Sequence, residues 1–142
     1  MNYSCCDALR RAAVAGAPGW NGIDYLEVID NAAPVEADRQ RFLTIHFVKA
    51  LGPLAIAASN IRIEGGERIR NIQVLGVSAG PHANVLTVEV DRPGDFSLYT
   101  LRLVRDALEQ TAPEGVDPQL AAVEFSFKVE CPSPFDCAPR AV

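Results

Sequence analysis

Hydrophobic and polar residues alternate with a period of two along most of this chain, which is typical of β-strands. The clearest case is residues 123–130, where Val, Phe, Phe and Val alternate with Glu, Ser, Lys and Glu. Six other segments carry similar patterns, and they predict strands at 23–29, 41–49, 60–64, 69–77, 85–91 and 98–104. Because the connections are short or rich in Pro and Gly, antiparallel pairing is favoured. We therefore predict an all-β fold, a two-sheet antiparallel β-sandwich of Ig-like type with about seven strands.

The one substantial helix is predicted near the N-terminus, over residues 4–15. Ser4 is a suitable N-cap, with Asp7 three residues later. Cys5 and Cys6 would then lie in the first turn, where the positive end of the helix dipole favours thiolates. The sequence thus predicts a short N-terminal helix that precedes the sandwich.

Length and pattern together give a domain division. The 142 residues suit one folded domain. We assign residues 1–21 to the helix and a linker, 22–130 to the β-sandwich, and 131–142 to a C-terminal linker that contains Pro and Cys.

Charge and hydropathy exclude several classes of function. The formal net charge is -5 and no basic stripe occurs, so we expect no nucleic-acid binding. There is no apolar run of about 18 residues or more, so we expect no membrane insertion. Charged residues interrupt the N-terminal segment before it could act as a signal peptide. We expect a cytoplasmic protein, in which thiols stay reduced.

All four cysteines stand near the two ends of the chain: Cys5, Cys6, Cys131 and Cys137. Four thiolates can hold zinc or an iron–sulfur cluster, and chain termini often lie close together. The spacing, however, differs from that of a usual zinc knuckle, because one pair is adjacent and the other is separated by five residues. A shared metal site and independent reduced thiols both remain open.

Catalytic motifs are not found in the sequence. It has no nucleophile elbow, phosphate-binding loop or paired metal-binding histidines, and we expect no enzymatic activity. His46 is expected to be a partly exposed strand residue. A carbohydrate-binding sandwich would use Trp20, Tyr25 and Tyr99 as an exposed aromatic strip, although Tyr99 falls on the inward face of its predicted strand.

Five motifs in a fixed order carry a family resemblance: GIDYLEV at 22–28, NIRIEGGERI at 60–69, PGDFSLYTLRLV at 93–104, VEFSFK at 123–128 and CPSPFDC at 131–137. This order resembles the N-terminal region of baseplate assembly proteins, the J-like wedge components of phage-tail-like contractile injection systems. The resemblance spans nearly the whole chain. Such proteins usually continue well beyond the CPSPFDC-like segment, so the resemblance implies that residues 131–142 are a linker toward a following domain.

The resemblance implies a structural role rather than catalysis. A wedge protein belongs to the plate that joins tail tube, spike and contractile sheath, so the implied partners are other baseplate and tail proteins within an assembled particle. Docking would use the segments that the motifs mark: Gly65, Gly66, Pro93, Gly94, Asp95, Phe96, Phe135 and Asp136. The alternative is that these segments are turns with a purely backbone role. A metal-binding module and a carbohydrate-binding module are the alternative functions.

Overall fold

The computed structural model describes residues 2–29, 42–52, 56–67, 69–92, 94, 97–106 and 111–127. One α-helix, α1 (Ala8–Ala15), two short 3-10 helices (Ala58–Asn60 and Pro118–Leu120) and eight strands form in this part of the chain. The strands are β1 (Asn2–Ser4), β2 (Ile23–Ile29), β3 (Phe42–Phe47), β4 (Ile61–Gly65), β5 (Val74–Ala79), β6 (Val85–Val90), β7 (Tyr99–Leu103) and β8 (Ala122–Phe125). The end of the last predicted strand and the predicted linker 131–142 lie outside the described residues.

Two antiparallel sheets form the fold. The large sheet has the strand order β1-β2-β3-β6-β5, and the small sheet has the order β4-β7-β8. Every named pair of strands is antiparallel. The predicted all-β sandwich with a short N-terminal helix is therefore confirmed, with eight strands in place of about seven.

Alternation along each strand directs the apolar side chains into the space between the sheets. Leu43, Ile45 and Phe47 on β3 are buried, whereas the polar positions between them face the other way. An aromatic cluster of the small sheet continues this core: Tyr99 and Phe125 lie 6.0 Å apart and Phe125 and Phe127 lie 5.0 Å apart between ring centroids. These aromatic contacts lie within the small sheet, and the buried residues of both sheets belong to one hydrophobic core.

The N-terminal segment differs from the prediction. Residues 2–4 form β1, which pairs with β2 and places Ser4 opposite Tyr25. The helix begins only at Ala8, because the Asp7 carboxylate accepts hydrogen bonds from the N–H groups of Leu9 at 2.7 Å and Arg10 at 3.2 Å. The predicted N-cap at Ser4 is thus wrong, and the cysteines at 5 and 6 precede the helix rather than lying in its first turn.

Tyr3 connects the first strand to the last. Its ring packs edge-on against Phe125 with centroids 6.3 Å apart, and its hydroxyl donates to the Ser126 carbonyl at 3.1 Å. The outer strand of the large sheet therefore lies beside the outer strand of the small sheet. This side of the sandwich is closed by side chains.

Asn21 joins three separate parts of the chain. Its side-chain oxygen accepts from the N–H groups of Gly22 and Lys49 at 2.9 and 3.0 Å, and its side-chain nitrogen donates to the Lys49 carbonyl at 3.0 Å. Its backbone N–H donates to Gly115 at 2.8 Å. A buried amide with each of these groups satisfied fixes where the segment after α1 meets the end of β3.

Candidate functional site

One end of the small sheet carries a compact surface feature, which we call the Tyr99 rim. It consists of the described residues where β4 ends and β7 begins, with one glycine from the preceding turn: Gly65, Gly66, Glu67, Gly94, Ser97 and Leu98. β4 and β7 place Gly65 directly opposite Tyr99. Antiparallel pairing therefore brings together segments that lie about thirty residues apart in the sequence.

Tyr99 is the anchor of this rim. Its side chain is buried, and its hydroxyl donates to the Ile69 carbonyl at 2.7 Å. The backbone at Gly66 and Gly94 lies against the same ring, since a Cβ built on Gly66 would approach it to 2.7 Å and one on Gly94 to 2.6 Å. Only glycine fits at these two positions.

Leu98 projects from this rigid support. Its side chain is 60% exposed. Its carbonyl accepts from the Gly66 N–H at 3.2 Å, and the neighbouring Ser97 hydroxyl accepts from the Glu67 N–H at 3.0 Å. The rim thus displays a large apolar side chain from a backbone held by hydrogen bonds on both sides.

The predicted docking residues fall into two groups, those that the structure describes and those that it does not. Gly65, Gly66 and Gly94 do come together at the Tyr99 rim, where Gly66 and Gly94 have a packing role beneath the surface. The other predicted docking residues lie outside the described part of the chain: Pro93, Asp95, Phe96, Phe135 and Asp136. Leu98 was not predicted as a docking residue. Its position gave a usable signal, because it lies beside a turn and alternates with the inward residues of β7, so its side chain is expected to face outward.

Cys5 and Cys6 are joined by a disulfide between adjacent residues, so the expectation of reduced thiols is wrong for this pair. Cys5 is fully buried and Cys6 is exposed. Both sulfur atoms lie 3.2 Å from the Ala122 carbonyl oxygen of β8. A metal would require the reduced pair, because only thiolates are ligands.

The four-cysteine metal site stays a prediction, since Cys131 and Cys137 are outside the described residues. Within the described ranges no group of three or more His, Cys, Asp or Glu side chains is placed to hold a metal ion.

The three aromatic residues of the carbohydrate hypothesis lie in different environments. Trp20 is 48% exposed and lines a groove of about 680 Å³ with Leu51 and Pro113. Tyr25 stacks on His46 with ring centroids 4.0 Å apart, on the outer face of the large sheet. Tyr99 is in the core. These residues do not form the exposed aromatic strip that the hypothesis requires.

A partly buried ion pair connects the helix to the loop before β8. The Asp117 carboxylate is 4% exposed and accepts from Arg10 Nε at 2.5 Å and from the Gln119 N–H at 2.9 Å. Burial by itself raises the pKa of Asp117, but these hydrogen bonds and the positive charge of Arg10 outweigh it. The pKa therefore lies below its ordinary value of 3.8.

This arrangement predicts acid sensitivity. A carboxylate whose pKa is lowered on folding stabilises the fold above its ordinary pKa of 3.8, and that stabilisation is lost as the pH falls from there through the folded-state pKa. Asp117→Asn should flatten the decrease in unfolding free energy over this range, and Arg10→Gln should flatten it in part. Denaturant unfolding at a series of acidic pH values measures this. An Asp117→Asn protein with the wild-type acid slope would contradict the assignment.

The described part of the chain thus defines a class: a small all-β sandwich that presents a loop rim and open sheet edges from a rigid core. A family model for the phage baseplate assembly protein, N-terminal domain, matches residues 1–125. Since this match covers most of the sequence, the chain belongs to that family, and the resemblance to the N-terminal region of baseplate assembly proteins is confirmed over these residues. No curated protein and no solved structure matches the chain. None of the described helical segments has the length and hydropathy needed to cross a bilayer.

Proposed function

We propose that this chain is a non-catalytic assembly module of the baseplate in a phage-tail-like contractile injection system, and that it acts through protein–protein contacts. Family membership supports a structural, phage-related role. The partners are then other baseplate or tail proteins, and the place of action is the assembled particle.

The observation that carries this proposal is the exposure of Leu98 on the Tyr99 rim. An apolar side chain that is 60% exposed gains stability when a partner covers it. Because the Leu98 carbonyl is hydrogen-bonded to Gly66 and the neighbouring Ser97 hydroxyl to Glu67, little conformational entropy is lost on docking. An exposed apolar side chain on an ordered backbone therefore favours docking of a partner at the rim.

Leu98→Asp should therefore weaken co-sedimentation of the chain with purified baseplates by more than about tenfold, because a charge would be buried in the interface. The matched control is Leu9→Asp, since Leu9 is 82% exposed on α1, away from the rim. Both variants should unfold at the wild-type denaturant midpoint. Wild-type co-sedimentation of Leu98→Asp, or equal losses in the two variants, would contradict the proposed role of the rim.

A further inference from the structure

The turn between β1 and α1 contains the disulfide of Cys5 and Cys6, and this bond contributes little to the stability of the sandwich. A disulfide stabilises a fold mainly by closing a loop in the unfolded chain, and the effect grows with the length of that loop. Adjacent cysteines enclose no intervening residue, so the unfolded chain loses little freedom. A role other than stabilisation is therefore favoured for this bond.

The two sulfur atoms differ in their access to a reductant. Cys5 is fully buried and belongs to the hydrophobic core, whereas Cys6 is exposed. Thiol–disulfide exchange requires a thiolate to reach one of the two sulfur atoms, so access decides which of them is attacked. Attack therefore falls on the sulfur of Cys6, and the sulfur of Cys5 is the leaving group.

The backbone of Cys6 depends on the disulfide for its conformation. Its φ is 66°, in the left-handed region that residues with a Cβ seldom adopt, and such a conformation persists only where its surroundings hold it. Cys6 makes no backbone–backbone hydrogen bond within the described ranges. After reduction, a weak S–H hydrogen bond to the Ala122 carbonyl oxygen, 3.2 Å from the Cys6 sulfur, would replace a covalent bond.

The residues on either side of Cys6 have hydrogen bonds of their own. The Cys5 N–H donates to the Asp24 carbonyl at 2.8 Å, and the Cys5 carbonyl accepts from the Arg11 side chain. On the other side, the Asp7 carbonyl accepts from the Arg11 N–H at 3.0 Å. Relaxation of Cys6 would therefore move the turn and the first residues of α1 while β1 keeps its place.

We propose that the Cys5–Cys6 disulfide is a reversible thiol–disulfide exchange site for a dithiol reductant, and that its reduction loosens the turn between β1 and α1. The exposed sulfur of Cys6 is the point of attack, and the left-handed backbone of Cys6 is the element that relaxes. The site is independent of the assembly function, because it is contained within the isolated chain.

The exchange proceeds in two balanced steps. One thiolate of the reductant bonds to Cys6 Sγ, the disulfide breaks, and Cys5 Sγ leaves with the electron pair and takes a proton from water. The second thiolate of the reductant then bonds to the reductant sulfur attached to Cys6 and displaces Cys6 Sγ, which is protonated in turn. The protein gains two electrons and two protons, and the reductant is released as a cyclic disulfide.

The chemical test uses the full chain after equilibration with oxidised glutathione. The folded protein is treated with dithiothreitol and then iodoacetamide, and the labelled cysteines are mapped by mass spectrometry. Both thiols should appear, and Cys6 should be alkylated more than about tenfold faster than Cys5, because Cys5 is buried. Without dithiothreitol neither should be labelled. A pair that fails to form, that stays oxidised in excess dithiothreitol, or whose members are labelled equally fast would overturn the proposal.

Amide hydrogen exchange measures the loosening. The N–H groups of Leu9 and Arg10 donate to the Asp7 carboxylate, so they report on the start of α1. Reduction should speed their exchange by about tenfold, whereas the Cys5 amide, which donates to a strand carbonyl, should change little. Unchanged exchange at Leu9 and Arg10 would show a structural disulfide without a switch and would overturn the proposal.

Two variants separate the backbone effect from the loss of the bond. Cys6→Ala and Cys6→Gly both lack the disulfide, but glycine adopts a φ of 66° without strain. The Leu9 amide should therefore exchange more slowly in the glycine variant than in the alanine variant. Equal exchange in the two would contradict the role given to the Cys6 backbone. Co-sedimentation with baseplates is a separate measurement, so the switch and the assembly function can fail independently.

Discussion

Gly66→Ala is expected to destabilise the fold by about 2–5 kcal/mol. Two costs add at this position. The backbone has φ of 91°, which is strained for any residue with a Cβ, and that Cβ would overlap the Ile69 carbonyl and lie 2.7 Å from the Tyr99 ring. Since Tyr99 is held by its own hydrogen bond to Ile69, the ring cannot move aside without breaking that bond.

Substitutions at two other glycines distinguish the cost of backbone strain from the cost of steric overlap. Gly19 has φ of 81° with no atom within 4 Å of a built Cβ, so Gly19→Ala should cost only about 1 kcal/mol for the backbone. Gly76 has open space and no positive φ, so Gly76→Ala should be close to neutral. Denaturant unfolding of the three variants measures the series. If Gly66→Ala were no less stable than Gly19→Ala, the packing described for the Tyr99 rim would be incorrect.

Asn21→Asp should destabilise the fold by about 3–5 kcal/mol, because it places an uncompensated charge in a buried site. The side-chain nitrogen of Asn21 lies 3.0 Å from the Lys49 carbonyl oxygen and 3.4 Å from that of Ala50. A carboxylate oxygen at this point would face two acceptors and no donor. Unfolding free energies from denaturant titration at neutral pH check the value.

Two variants complete the comparison at Asn21. Asn21→Ala should cost about 2–3 kcal/mol, since it leaves the N–H groups of Gly22 and Lys49 without their partner but adds no charge. Gln73→Glu makes the same change of amide to carboxylate at an exposed residue, and its effect should stay within about 0.5 kcal/mol. Equal stabilities of the two carboxylate variants would refute a special role for Asn21.

Most of the fold could be predicted from alternation alone. β2 has the predicted limits, and β3, β6 and β7 differ from theirs by one or two residues at an end. β1 was missed because three residues are too few to show a period, and because Ser4 is a plausible N-cap. The choice between Ser4 and Asp7 depends on which side chain reaches the free N–H groups, and this becomes visible only in three dimensions.

β5 shows a different kind of error. The strand was predicted at 69–77 but runs from Val74 to Ala79. The residues before it pass from the small sheet to the large one, and Asn71 has φ of 57°, which interrupts the extended backbone. Ile72 in this crossing segment is buried between the sheets. An apolar residue at this position therefore fits the alternating pattern of a strand although the segment is not one.

The candidate site was only partly predictable. Gly65, Gly66 and Gly94 could be selected as turn residues from the motifs that contain them. That they meet at one ring depends on the register of β4 against β7, and a single sequence without that pairing does not contain this information.

The contact between Tyr3 and Ser126 has a mechanical consequence. It joins positions 123 residues apart, so β1 lies beside the residues that directly follow β8. A pulling force applied to Tyr3 and Ser126 would act on two positions that are already in contact, so it would directly load their hydrogen bond and the aromatic contact of Tyr3 with Phe125.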